Sequence, residues 1–247
     1  MATKTDKNKP TEAPEQAAPP APVPPFSILF QLEDIGVEGR KAAFEVLKKA
    51  LKEQKVELTL PIFSHYCLHS VPSVYLPPMA EALGAAKVPV EKLVEQVNGA
   101  IADQITGNGA RLNPALHKIL DAAREHDITA GAITALPEET AQTLASRLGF
   151  EEMGIRLIPS RDVTGHFPGA DTWLKAAKAM AQRARHCAVV ASTMAACKAA
   201  LSADMRCVAV PDEFTAFQDF GGVDIVLEKL DEMSPREILQ ALFNVSK

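Results

Sequence analysis

The sequence predicts an α/β protein in which helices cover both faces of a parallel β-sheet and an all-helical domain follows the first strand. Short runs rich in Val, Ala and Ile alternate with helical patterns, as they do in strands that are buried on both faces. Apolar residues make up 47% of the 247 residues, which is enough to form a large core. The segment 42–109 contains helical patterns and no convincing strand.

The first predicted strand is the apolar run "FSILF", which begins at Phe26 and ends in the polar residues 31–34. A helix is predicted next, because Phe44, Leu47 and Leu51 recur at helical intervals. Further helical patterns fill the segment up to the start of the next strand. We therefore predict a core domain made of 26–41 and 110–247, with a helical cap domain inserted over 42–109.

Strand and helix patterns alternate after the insert. Asn113 followed by Pro114 predicts a helix start, since Asn caps free backbone N–H groups and proline suits the first turn. Gly149 predicts the end of the helix that begins near Pro137. Ser234 followed by Pro235 predicts the start of the last helix. The remaining predicted strands cover 128–134, 154–160, 187–192 and 206–211.

Three of these strands end in polar side chains. Gln31, Thr134 and Ser192 each stand at the carboxyl end of a predicted strand. Right-handed crossovers bring the ends of parallel strands to one edge of the sheet, where α/β proteins bind ligands. The sequence therefore predicts a binding or active site that contains these three residues.

Composition argues against nucleic acid and membrane as partners. The formal net charge is −5 and no long Lys/Arg block is present, whereas phosphate neutralisation needs clustered cations. No segment has transmembrane length. The Pro/Ala-rich residues 1–25 predict a disordered tail or a semi-rigid spacer and lack the apolar run of a secretory signal. We expect a cytoplasmic protein.

The cysteine pattern predicts reduced, buried thiols, because none of the four cysteines forms a CxxC pair. One alternative involves His65, Cys67 and His69, which would share a face if this segment were a strand and would then suit a soft metal. The flanking sequence is helical in pattern and offers no fourth ligand. We therefore expect no metal site there.

Several stretches match the motifs of one enzyme family. "VVASTMAACKAALSADMRCVAVP" resembles a fourth motif in which a strand ends in Asp-Ser, "AGAITALPEETAQTLASRLGF" resembles the second, and "GHFPGADTWLKAAKAM" resembles the third. From Phe26 to about Leu230 the chain resembles the haloacid dehalogenase-like (HAD) superfamily, in its β-phosphoglucomutase/phosphoglycolate-phosphatase-like branch. The resemblance implies a HAD-like Rossmannoid sheet with a helical cap and, in active members, Mg²⁺-dependent phosphatase-type chemistry.

The catalytic positions that the resemblance implies are altered. The aspartate nucleophile and the acid/base aspartate correspond to Gln31 and Glu33, and the fourth-motif aspartate to Ser192. The phosphoryl-binding hydroxyl is kept as Thr134, and the third-motif lysine corresponds to Phe167. An amide can neither form an acyl-phosphate nor supply the anionic oxygen that Mg²⁺ prefers. We expect no catalytic residue, no metal, and folding that does not depend on Mg²⁺.

A shifted register would make Asp34 the nucleophile, but it places Gly36 at the acid/base position and leaves the fourth motif without its aspartate. The sequence thus favours a catalytically degenerate HAD-like protein, a pseudoenzyme with a binding or regulatory role. Its partner would be an unknown small molecule or protein. The alternatives are a hydrolase with altered groups, such as Glu33 or His166, and a structural or assembly subunit. The ligand-binding candidates are Gln31, Glu33, Asp34, Thr134, Ala135, His166, Ser192 and Thr193.

Overall fold

The centre of the fold is a parallel sheet. In the computed structural model, which describes residues 26–68, 71–84, 89–107, 109–161, 163 and 165–243, six strands pair in the order β3-β2-β1-β4-β5-β6. Every pairing is parallel, which confirms the predicted α/β class. From β1 the chain adds strands first on one side, β2 and β3, and then on the other, β4 to β6. The strands are β1 Phe26–Gln31, β2 Ile128–Thr134, β3 Ile155–Pro159, β4 Cys187–Ala191, β5 Arg206–Ala209 and β6 Ile225–Val226.

Ten α-helices complete this described part of the chain, and a π-helical turn over Leu32–Gly36 directly follows β1. The predicted bounds of β2 are confirmed, and the last helix begins at Pro235 as expected. The helices are α1 Gly39–Glu53, α2 Leu60–Tyr66, α3 Pro72–Ala82, α4 Val90–Thr106, α5 Pro114–Glu125, α6 Glu138–Arg147, α7 Phe150–Met153, α8 Ala170–Ala179, α9 Met194–Ser202 and α10 Pro235–Phe243.

Both faces of the sheet are buried. Successive side chains of a strand point to opposite faces, and in β1 Ile28 and Phe30 belong to one apolar cluster while Leu29 belongs to the other. In β4, Val190 and Val189 divide between the two clusters in the same way. This explains why the strands read as continuous apolar runs without polar alternation.

Helices α1–α4 fill the chain between β1 and α5, and the described residues of 42–109 contain no strand. Leu47 of α1 and Val97 of α4 are fully buried and join the apolar cluster that contains Ile28. The described residues of this segment are therefore helical or irregular, while the helical cap domain over 42–109 stays a prediction. We call α1–α4 the helical insert.

Three phenylalanines connect the helical insert to the far half of the sheet. The ring centroid of Phe44 in α1 lies 5.1 Å from that of Phe63 in α2 and 5.5 Å from that of Phe214, in the loop after β5. Phe63 and Phe214 are 5.2 Å apart. Contacts of this kind stabilise by about 0.5–1.5 kcal/mol each beyond their burial, so they hold the insert against the loop that follows β5.

The predicted helix boundaries are largely confirmed. The Asn113 side chain accepts hydrogen bonds from the backbone N–H groups of Ala115 and Leu116, at 3.0 and 3.3 Å. Gly149 has a positive φ of 73° after α6, a conformation that glycine adopts without steric cost. Thr59 precedes α2, but its side chain makes no capping hydrogen bond.

The alternative metal cluster is not supported by the described residues. His65 lies in α2 and is exposed, whereas Cys67 follows α2 and is buried, with its sulfur 3.8 Å from that of Met79. The two side chains therefore do not share a strand face. All four cysteines are buried and free. His69 and the predicted tail 1–25 lie outside the described residues.

Within the described ranges, none of the helices combines the length and apolar character that crossing a membrane requires.

Substitution by alanine should change the free energy of unfolding in opposite directions at two helical glycines, Gly39 and Gly99. A Cβ atom on Gly39 would lie closer to the carbonyl oxygen of Glu33 than real Cβ atoms come, so Gly39→Ala forces backbone movement. We expect it to lower the free energy of unfolding by about 1–3 kcal/mol. Gly99, in α4, has open space around it, so Gly99→Ala should raise that free energy by about 0.5–1 kcal/mol. Urea unfolding measures both, and equal effects would contradict the packing described for Gly39.

Candidate functional site

The predicted convergence of polar residues at one edge of the sheet is confirmed. Strands β2, β1 and β4 are neighbours, with Gln31 opposite Ile133 in one pairing and Phe30 opposite Val190 in the other. Thr134 ends β2 and Ser192 directly follows β4. This edge is also the point at which the chain order reverses, the usual place for a ligand site in an open α/β sheet.

Glu33 is anchored to the residues at the end of β2. Its Oε1 accepts hydrogen bonds from the Thr134 hydroxyl at 2.8 Å and from the backbone N–H groups of Ala135 and Leu136 at 2.7 and 3.2 Å. The π-helical turn after β1 carries Glu33 across to these donors. One carboxylate oxygen therefore engages a hydroxyl and two consecutive backbone N–H groups.

The second oxygen of Glu33 has a different environment. Glu33 as a residue is half-buried, but its Oε2 is shielded from solvent and has no hydrogen-bond partner among the described residues. Burial raises the pKa of Glu33 from 4.5 to about 7, against the opposing effect of the hydrogen bonds from Thr134 and Ala135. Because burial disfavours the charged form, this carboxyl group titrates near neutral pH.

Arg40, in the first turn of α1, is the buried cation of the site. Only 6% of the residue is exposed. Its Nη1 donates to the carboxylate of Asp212, and its Nη2 donates to the carboxylate of Asp34. The same Nη2 lies 3.1 Å from the Ser192 hydroxyl oxygen. A single guanidinium thus holds together three chain segments, which follow β1, β4 and β5.

The partners of Arg40 are themselves fixed. The other oxygen of Asp212 accepts from the Phe214 backbone N–H at 2.9 Å and from the Thr215 hydroxyl at 3.0 Å. Burial raises the pKa of Asp34, and Asp212 adds to this rise while Arg40 opposes it. The planar fork of an arginine suits such a multiple pairing better than a lysine would.

These residues do not fit the Mg²⁺ that the HAD resemblance implies. The resemblance places metal ligands at Gln31 and Ser192, but Gln31 is an amide and Ser192 is bonded to the Arg40 guanidinium. A divalent cation at this position would be repelled by Arg40 at short range. Within the described ranges, no group of three or more His, Cys, Asp or Glu residues is arranged to hold a metal ion.

A cleft of about 360 Å³ lies between the helical insert and this edge of the sheet. Its polar side is formed by the predicted residues Gln31, Glu33 and Asp34, together with Arg40. Its apolar side comes from the insert and from the loop after β3. The lining apolar side chains include Phe63, Leu68, Val71, Tyr75, Ile101, Ile105, Leu136 and Phe167.

The structure separates the remaining candidates. Ala135 and Phe167 line the cleft, and Phe167, at the third-motif lysine position, is buried. Thr134 and Ser192 are buried and lie beneath the cleft wall, bonded to Glu33 and Arg40. The other two candidates, His166 and Thr193, do not line the cleft: His166 is exposed, and Thr193 caps α9 by accepting a hydrogen bond from Ala196 at 3.2 Å.

Two residues of the site, Arg40 and Asp212, were missed by the sequence analysis. Asp212 follows β5 at the same edge of the sheet, so the rule that identified Thr134 and Ser192 could have found it. Arg40 carries no such signal, because a single arginine at a helix start is typical of a solvent-exposed position.

Several solved structures share the fold, and their descriptions name HAD hydrolases, phosphatases or phosphoglucomutases. A β-phosphoglucomutase from Clostridium difficile has a TM-score of 0.71 at 14% identity, covering 88% of this chain and 97% of that one. A HAD hydrolase from Entamoeba histolytica has a TM-score of 0.70 at 16% identity, with coverages of 88% and 99%. A predicted phosphoglycolate phosphatase from Haemophilus somnus has a TM-score of 0.68 at 14% identity, with coverages of 83% and 94%.

No protein-family model matches the sequence, and no curated protein has significant sequence similarity to it. At identities of this size, structural likeness establishes the fold and not the activity. The chain therefore has the HAD-like fold that the motifs predicted.

Arg40→Met should destabilise the protein strongly. The variant keeps most of the side-chain volume but leaves Asp34 and Asp212 without their cation, and breaking a buried pair costs about 3–5 kcal/mol. The control is Arg161→Met, which breaks the exposed pair of Arg161 with Glu138 at 2.6 Å and should cost less than about 1 kcal/mol. Urea unfolding compares the two. Similar small losses would mean that Arg40 does not organise the site.

The raised pKa of Glu33 predicts that stability falls with rising pH. The folded state retains the proton up to about pH 7, whereas the unfolded chain releases it near 4.5. Between these values the free energy of unfolding should therefore decrease, by up to about 3 kcal/mol.

Other groups titrate in the same range, so the test compares wild type with Glu33→Gln between pH 5 and pH 8. The loss of stability should be smaller in this variant, while Glu57→Gln, at an exposed glutamate, should behave as wild type does. Identical pH dependence in wild type and Glu33→Gln would show that Glu33 does not titrate near neutrality.

Proposed function

We propose that the protein is a catalytically inactive HAD-like protein that binds a small molecule in the cleft between the helical insert and the sheet. The observation that carries the proposal is the Arg40 guanidinium, which is bonded to Ser192 at a position where the resemblance would place a metal ligand. At the neighbouring position, Gln31 replaces the nucleophile. The proposed protein therefore lacks both the nucleophile and a metal ligand of phosphoryl-transfer chemistry, while it keeps the cleft.

The expected loss of activity is large. Removal of a covalent nucleophile costs up to about a million-fold in rate in a well-studied enzyme. Gln31 offers a neutral amide, which cannot attack a phosphoryl group to give a stable covalent intermediate. The ordered surroundings of the cleft support a binding role, because Glu33 and Arg40 each make several specific hydrogen bonds there.

A second candidate is a hydrolase in which Glu33 acts as a general acid or base. The observation in its favour is the pKa of about 7 of Glu33, because catalytic acids and bases are most effective when their pKa lies near the working pH. Glu33 would accept a proton from an attacking water molecule without a covalent intermediate. Such a group contributes about 10²–10⁴ in rate, far less than a complete HAD active site.

A phosphatase assay with small phosphate esters, with and without Mg²⁺, tests the two candidates. We expect wild type to release no phosphate above background in either condition, because Gln31 is not a nucleophile. The variant Gln31→Asp/Ser192→Asp restores the two carboxylates and serves as the comparison, and activity gained in it would support a site that has lost its chemistry.

Turnover by wild type that is lost in Glu33→Gln would instead favour the second candidate. Turnover at ordinary enzymatic rates that does not require Glu33 would contradict both.

A further inference from the structure

We propose that the ligand of the cleft is a small amphipathic molecule with an apolar body and an uncharged or positively charged polar head that donates a hydrogen bond to Glu33. The proposal rests on the binding function proposed above and names the class of ligand. A ligand of this class would distinguish the cleft from a site that binds phosphate. Three features of the described residues carry it: the balance of charge, the use of the available donors, and the unpaired oxygen of Glu33.

The charge of the cleft disfavours anions. Among the described lining residues, the side chains that can be charged at neutral pH are Glu33, Asp34 and Arg40. Both terminal nitrogens of Arg40 are engaged by Asp34 and Asp212. Burial raises the pKa of Tyr75 and of Cys67, so these two lining groups stay neutral. An anionic head would therefore meet carboxyl groups without an uncommitted cation to balance it.

The hydrogen-bond donors at the end of β2, which would hold an anion beside Glu33, are already occupied. The Thr134 hydroxyl and the N–H groups of Ala135 and Leu136 all point to Glu33 Oε1. A phosphate or carboxylate could use these donors only after displacing Glu33. It would then leave a second anionic group in the same small volume, which makes anion binding less favourable still.

Glu33 instead has unused capacity as an acceptor. Its Oε2 is buried without a partner among the described residues, and an unsatisfied buried acceptor is costly. Glu33 also belongs to the lining of the cleft. Because Oε2 is shielded in the ligand-free cleft, a ligand N–H or O–H group would have to displace the groups that cover it in order to remove this cost. A cationic N–H group would then form a charge-assisted hydrogen bond with the ionised carboxylate.

The opposite side of the cleft requires an apolar body. Phe63 of α2, Tyr75 of α3 and Ile101 of α4 line it from the helical insert, and Phe167 lines it from the loop after β3. The volume of about 360 Å³ lies near the lower end of the range for small-molecule sites. A compact molecule with one aromatic or branched aliphatic group matches this wall.

Three probes with similar bodies and different heads test the proposal on the full chain: 2-phenylethylamine, 2-phenylethanol and phenyl phosphate. Each is titrated into the protein and followed by NMR chemical shifts. The amine and the alcohol should bind with measurable affinity, and phenyl phosphate should bind at least ten-fold more weakly than the amine. In Glu33→Gln the affinity for the amine should fall about ten-fold or more, while Glu57→Gln should bind it as wild type does.

The ranking of the three heads in wild type decides the proposal even if Glu33→Gln does not fold. Tighter binding of phenyl phosphate than of the amine overturns the proposal, as does the absence of binding by the amine and the alcohol, or an amine affinity unchanged in folded Glu33→Gln. Failure of the function proposed above is a separate result: it would appear as release of phosphate from phenyl phosphate by wild type.

Discussion

The buried guanidinium of Arg40 is the interaction on which the site depends. It joins the segments after three neighbouring strands, through the carboxylates of Asp34 and Asp212 and the hydroxyl of Ser192. Without a cation, two carboxylates this close together and largely out of water would repel each other. Arg40 supplies that cation from the chain itself and offsets part of the negative charge of the two carboxylates. Arg40 also attaches the helical insert to the edge of the sheet, because it belongs to α1 and bonds to residues that follow the strands.

Glu33 complements this arrangement with an internal carboxyl group. Its Oε1 engages two backbone N–H groups and the hydroxyl of Thr134, the residue to which the HAD resemblance assigns phosphoryl binding. We propose that Arg40 and the Glu33 carboxyl group take the places that a metal ion and a phosphoryl group would have in an active phosphatase of this fold. What remains accessible is a cleft with an apolar wall and a carboxyl group at its polar side. This is the basis on which we propose that the altered residues Gln31 and Ser192 accompany a change in the type of ligand.

Much of the fold could be predicted from sequence because its signals are local. The apolar run 128–134, Asn113 before Pro114 and Gly149 each gave an element or a boundary that the structure confirms. The convergence of Gln31, Thr134 and Ser192 followed from the rule for parallel strands. The pairing of Arg40 with Asp212 spans 172 residues, and no local pattern indicates which partner a buried arginine will meet. The attachment of Glu33 to the end of β2 was missed for the same reason, since it depends on the π-helical turn that follows β1.

The most direct test of the central claim is a measurement of metal binding, with Mn²⁺ as a paramagnetic substitute for Mg²⁺. The electron paramagnetic resonance signal of free Mn²⁺ is titrated in the presence of wild-type protein and compared with buffer alone. If Arg40 is the resident cation of the site, the signal of free Mn²⁺ should be the same in both. Binding of one equivalent of Mn²⁺ that Mg²⁺ displaces would contradict the account, because a metal would then occupy the position that we assign to Arg40.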